Sequence, residues 1–197
     1  MDAPAPQNTA ETKERQQRMD GGNWVFGYGS LMWAPEFPVA ERVIAQADGW
    51  RRSFCLRSVC HRGTEAVPGL VLGLEAFPDH LCTGVALRVE DALWPGVIAA
   101  IRAREMVTEA YRETALPLAL ADGRRVSAVT YVMRPGHAQY AAGLPPEEQA
   151  RIIAAAHGGR GPNADYLYNT VAHLTELGIP DDDLSRLAAR VRQITGG

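Results

Sequence analysis

The sequence predicts an α+β domain. Strand-like runs crowd the first two thirds of the chain, one clear helix interrupts them, and from Pro145 onward the pattern turns helical. Strands followed by helices, with a single helix interleaved, fit an α+β arrangement better than a doubly wound sheet, which alternates the two.

The first strand is expected over 24–28, where the run Trp-Val-Phe-Gly-Tyr stops at Gly29 and Ser30. Others are expected over 52–57, 70–75 and 83–89; in the last, Val85, Leu87 and Val89 share one face. A further strand, 126–133, follows the turn Asp122-Gly123. The interleaved helix is expected over 93–111, with Asp91 as its cap and Pro95 in the first turn, where a missing N–H costs nothing. Three more helices, 146–157, 164–177 and 182–194, are separated by the breakers at 158–162 and 178–180.

A chain of 197 residues can bury one sizeable core. Its net charge of −3, without any block of like charges, argues against a nucleic-acid or membrane-surface partner. No apolar run approaches the roughly 20 residues that span a bilayer. Residues 1–22 hold almost no large apolar side chains and are expected to form a disordered tail, leaving 23–197 as the domain. The tail lacks the apolar stretch of a secretory signal. Cys55, Cys60 and Cys82 show no CxxC spacing, which fits a reduced, cytoplasmic protein without zinc.

Three places could carry chemistry. On a helical wheel Trp94, Val97, Ile98 and Ile101 form an apolar stripe, and Glu105 falls in its middle. A carboxylate there must be paired, protonated or functional. The pattern leaves two readings open. One is a buried salt bridge, to Arg102 or an arginine elsewhere; the other is an acid–base group whose pKa an apolar cleft has raised. Next, Gly27-Tyr28-Gly29-Ser30-Leu31 follows the first strand. Its glycines permit positive φ and close approach, so that N–H groups can converge on an anion, although a plain tight turn uses glycines in the same way. Met32 stands where a dinucleotide fingerprint needs its third glycine, and Ser30 is followed by Leu31 and Met32 rather than by a GxSxG ending. Last, His61 in Cys60-His61-Arg62-Gly63 is either a base or a structural residue. His80, His137, His157 and His173 have no metal-ligand spacing, so no metal is expected. Asn163 suits an N-cap, with Tyr166 and Tyr168 in the first turns of the helix that follows.

Six segments stand in sequence: VFGYGSLMW (25–33), the pair Arg51-Arg52, HRG (61–63), GVALRV (84–89), REM (104–106) leading to Tyr111, and GPNADYL (161–167). In that order they resemble the ChaC family of γ-glutamylcyclotransferases, over 24–191. The Glu105-to-Tyr111 spacing resembles the bacterial branch, and Cys60 stands where animal members usually carry an acidic residue.

The resemblance implies a small mixed β-barrel with flanking helices. It also implies cleavage of glutathione, a small-molecule γ-glutamyl peptide, to 5-oxoproline and Cys-Gly. By matching position, Glu105 is the catalytic acid–base residue. Tyr28, Gly29, Ser30 and Leu31 hold the γ-glutamyl moiety, and Tyr166 borders the pocket. The substrate's own α-amine attacks its γ-carbonyl, so no cofactor is expected. Two other readings are a serine amidohydrolase using Ser30 and His61, and a non-catalytic protein that binds γ-glutamyl ligands.

Overall fold

The computed structural model describes residues 20–106 and 108–196. Two strands run far beyond the expected stretches. β2 (Glu41–Ser58) and β3 (Gly69–Val89) pair antiparallel, from Glu41 opposite Arg88 to Ser58 opposite Gly69. The stretches expected at 70–75 and 83–89 are therefore one strand. Its middle, 76–81, is exposed and holds Pro78 and a left-handed Asp79 (φ 67°), features that read as a loop in sequence. The β2–β3 register shifts between Phe54 and Leu56, and Phe54, Cys55 and Leu56 are buried in succession, as an irregular pleat allows.

β1 (Asp20–Gly27) lies antiparallel to β3, with Val25 opposite Leu87. It starts at Asp20, within the segment 1–22 expected as a tail; 1–19 lie outside the described residues. β4 (Tyr111–Leu120) and β5 (Arg125–Met133) complete the sheet, and a parallel β1–β5 pairing, Val25 opposite Val129, closes it. The result is a closed barrel in the order β1-β3-β2-β4-β5, mixed in direction as the resemblance implied.

β4 was not expected. The helix predicted over 93–111 ends at Glu105, as α1 (Trp94–Glu105), and Tyr111 begins the strand instead. Pro117 obscured it, since proline suits only strand positions that need no ladder donor. β4 meets β2 only at Ala45–Leu120 and Gln46–Ala119, so Pro117, exposed opposite Ser127 of β5, faces no β2 acceptor.

Helices α2 (Pro146–Ala155), α3 (Asn163–Glu176) and α4 (Asp182–Thr195) lie close to their expected spans. Between α2 and α3, a two-rung hairpin of β6 (His157–Gly158) and β7 (Gly161–Pro162) replaces the expected loop. Two expected caps differ. Asp91 does not cap α1; its carboxylate accepts from Asn23 Nδ2 at 2.9 Å. Asn163 is the first helical residue of α3 rather than its cap, and it is fully buried. Asp181 does cap α4, accepting from the Leu184 amide at 3.1 Å. Among the described residues no helix is long and apolar enough to cross a membrane.

Candidate active site

Past Gly27 the chain leaves β1 and makes one 3-10 turn, Ser30–Met32. The Met32 amide donates to the Gly29 carbonyl (2.9 Å) and the Ala34 amide to the Ser30 carbonyl (2.8 Å). The amides of Ser30 and Leu31 therefore lie at the open N-terminal end of the turn, where donors lack acceptors within it. The two glycines serve close approach rather than positive φ: Gly29 has φ −138°, and neither is left-handed. A Cβ on Gly27 would lie 3.1 Å from the Met32 nitrogen. One on Gly29 would lie 3.4 Å from Leu72 Cδ1 and 4.0 Å from the Tyr166 hydroxyl. The Leu31 side chain is in the core, which leaves its backbone as the part able to meet a ligand.

Glu105 closes α1. The stripe that precedes it is as expected, with Val97, Ile98 and Ile101 buried, and the Glu105 side chain keeps 19% exposure. Its ion-pair partner is the adjacent Arg104, at 3.2 Å, whereas Arg102 is engaged with Glu113 at 2.7 Å. Glu105 is thus paired, yet its pKa is raised. Burial is the main cause, Arg104 opposes it, and Glu36 adds to it. Arg104 also ties the helix end to the loop. Its Nη2 donates to the Ser30 hydroxyl (2.7 Å), its Nη1 to the Ala34 carbonyl (3.1 Å), and it pairs with Glu36 at 3.2 Å.

Three phenols surround this carboxyl electrostatically. Tyr28 donates to the Tyr131 carbonyl at 2.8 Å and Tyr111 to the Leu72 carbonyl at 2.6 Å. Burial first, and then neighbouring groups that include Glu105, hold both phenols well above their ordinary pKa. Tyr166, in the first turn of α3, is pushed up to about 12, mainly by burial. Its ring meets Phe54 edge-on at 5.7 Å. All three stay protonated at neutral pH.

The structure thus brings Glu105, Tyr28, Gly29, Ser30 and Tyr166 together. It does not pair Ser30 with His61: the Ser30 hydroxyl is engaged by Arg104, and His61 lies exposed on another loop. Burial, then Arg160 and Arg62, lower the pKa of His61. Among the described residues, no three His, Cys, Asp or Glu side chains cluster as metal ligands.

Several residues of this neighbourhood were named in the sequence without the part they play here. Tyr111 was read as the end of a helix. Arg52 is buried, and its guanidinium donates to the Tyr28 carbonyl (2.8 Å), the Thr83 carbonyl (2.5 Å) and Asp181 (3.1 Å), so it fixes the base of the loop. A signal existed, because Arg52 stands in phase with Phe54 on its strand. Asn163 lies alongside β3 and imitates a strand: its side chain accepts from the Leu70 amide and donates to the Leu70 carbonyl, both at 2.7 Å. That pair places α3, and with it Tyr166.

The chain and its fold have known counterparts. The family model described as ChaC-like protein matches residues 23–194. The chain belongs to the ChaC-like family. A glutathione-specific gamma-glutamylcyclotransferase of Escherichia coli is 38% identical over 89% of this chain and 75% of its own length. Gamma-glutamylcyclotransferase 2-3 of Arabidopsis thaliana is 33% identical, over 87% of this chain and 89% of its own. In humans, glutathione-specific gamma-glutamylcyclotransferase 1 is 33% identical, over 85% and 76%. The fold matches the crystal structure of a yeast cyclotransferase specific to glutathione, with a TM-score of 0.79 at 22% identity, over 88% of this chain and 97% of the other.

Proposed function

We propose that this chain is a cytoplasmic γ-glutamylcyclotransferase that cleaves glutathione to 5-oxoproline and Cys-Gly. The observation that carries this reading is the Glu105 carboxyl, withdrawn from water at the end of α1 and joined through Arg104 to the loop at 28–31. The names borne by its relatives supply the substrate class.

The substrate's α-amine attacks its own γ-carbonyl carbon, a five-membered lactam closes, and the bond to the cysteine nitrogen breaks. The attack is intramolecular, so the site must hold the folded-back conformer, and orientation lowers the barrier. Glu105 takes a proton from the attacking amine and delivers it to the leaving nitrogen, ending in the state in which it began. Its raised pKa brings it nearer to the working pH, which suits a group that must both accept and donate. The Ser30 and Leu31 amides meet the substrate carboxylate or the developing oxyanion, a contribution of a few kcal/mol for such donors. The phenols of Tyr28, Tyr111 and Tyr166 stay neutral and add no negative charge.

Incubation with glutathione followed by mass analysis tests the reading. 5-Oxoproline with Cys-Gly supports it. Free glutamate points to an amidohydrolase, and unaltered glutathione to a binding protein.

A further inference from the structure

The HRG segment takes no part in the chemistry above, yet it is built into the neighbourhood with little tolerance. A Cβ on Gly63 would lie 2.1 Å from the Gly69 nitrogen, and one on Gly158 only 2.4 Å from the Gly63 nitrogen. The β6–β7 hairpin is bonded to this segment through Gly159 N–H to the Cys60 carbonyl (2.8 Å) and Arg160 N–H to the His61 carbonyl (2.9 Å). What this packing fixes is the half-buried Arg62. Its Nη1 donates to the carbonyls of Arg160 (2.6 Å) and Pro162 (3.1 Å), and its guanidinium carbon sits 5.5 Å from the centre of the Tyr166 ring.

Three points give that placement a meaning. Both anchors of Arg62 are neutral carbonyls, and among the described residues no ion pair neutralises its charge. Both bonds leave from Nη1, so the Nε–Nη2 edge, which a carboxylate grips with two parallel bonds, is not the edge held by the backbone. Tyr166 spans the distance inward, since its hydroxyl lies 4.0 Å from where a Gly29 Cβ would be. Beyond the γ-carbonyl, glutathione continues for two residues, which reach about 7 Å when extended. Tyr166 thus links the Gly29 loop, where the γ-glutamyl end would be held, to Arg62.

We propose that Arg62 is the docking point for the carboxylate at the peptide end of the substrate, and so selects γ-glutamyl peptides over γ-glutamyl amines. This rests on the glutathione reading and adds to it a residue that sets specificity.

The test compares kcat/KM for glutathione with that for its glycine carboxamide, equal in size but uncharged, in the wild type and in Arg62→Gln. The wild type should prefer glutathione by about tenfold or more, the usual worth of a charge-assisted pair. In Arg62→Gln that preference should fall to about one. Equal rates for the two compounds in the wild type would overturn the subsite. So would an undiminished preference in the variant, even with both rates lowered, because a merely distorted loop slows both compounds alike. Failure of the wild type to convert either compound would overturn the cyclotransferase reading together with the subsite, a result distinct from the other two.

Discussion

Glu75, on β3, has 6% of its surface exposed, and donors converge on both of its oxygens. Oε1 accepts from Arg51 Nε (3.2 Å) and Nη2 (2.6 Å) and from the Ser53 hydroxyl (2.7 Å), while Oε2 accepts from the Tyr140 hydroxyl (2.7 Å). Glu105 is also withdrawn from water, but among the described residues Arg104 alone is paired with it. Burial pushes both groups toward the protonated form. At Glu75 the bonds from Tyr140, Arg51 and Ser53 together outweigh burial, and its pKa ends below the usual carboxylate range. At Glu105 they are missing and the pKa ends above it. Burial alone therefore does not mark a working carboxylate; burial with donors left out does. Glu75 has its proton affinity spent on holding the barrel, whereas Glu105, in the proposed reaction, retains it for the substrate.

The comparison breaks most readily at Glu105. Glu105→Gln removes the proton carrier but keeps the shape, so kcat should fall at least about 100-fold. Stability in urea should hold or rise, because a partly satisfied buried charge has gone. Unchanged turnover would end the assignment. Glu75→Gln should do the reverse. It leaves buried donors facing a weaker acceptor and should cost about 2 kcal/mol in urea unfolding. Turnover per folded molecule should remain near wild type, and a large loss of kcat there would mean that the two carboxylates share one task.

The two residues also differ in how far the sequence announced them. Glu105 was legible because a helix has a period, and a carboxylate in the middle of an apolar stripe is out of place. Glu75 ends an expected strand, and nothing nearby in sequence hints at Tyr140, a donor 65 residues away. The same limit applies to Arg52, whose partners come from the 28–31 loop, β3 and the cap of α4. The α+β class and the later helices followed from local patterns. Closure of the barrel depended on β4, which Pro117 obscured, and on a parallel β1–β5 pairing that no short-range pattern encodes. In the loop, spacing revealed the glycines, but not that Met32 and Leu72 stand close to where their side chains would be.

The finest test of the contrast removes one donor. Tyr140→Phe keeps the ring of a half-buried side chain and deletes its bond to Glu75. The expected loss is about 1 kcal/mol at neutral pH, less than for Glu75→Gln because the Arg51 and Ser53 bonds remain. The sign with pH follows from the depressed pKa of Glu75. A carboxylate of that kind stabilises the fold above its unfolded-state pKa, and its contribution disappears as pH falls through the lower folded-state value. The Tyr140→Phe deficit should therefore be largest near neutrality and shrink as acid protonates Glu75 in both proteins. Glu105, whose pKa is raised, works in the opposite sense: its contribution is present in acid and lost as pH rises through the folded-state value above the usual range. Urea unfolding of Tyr140→Phe, Glu105→Gln and wild type from about pH 7 to about pH 2.5 should show the two differences from wild type moving in opposite directions. A Tyr140→Phe deficit that stays constant across that range would mean that the phenol supports Glu75 through packing rather than through charge.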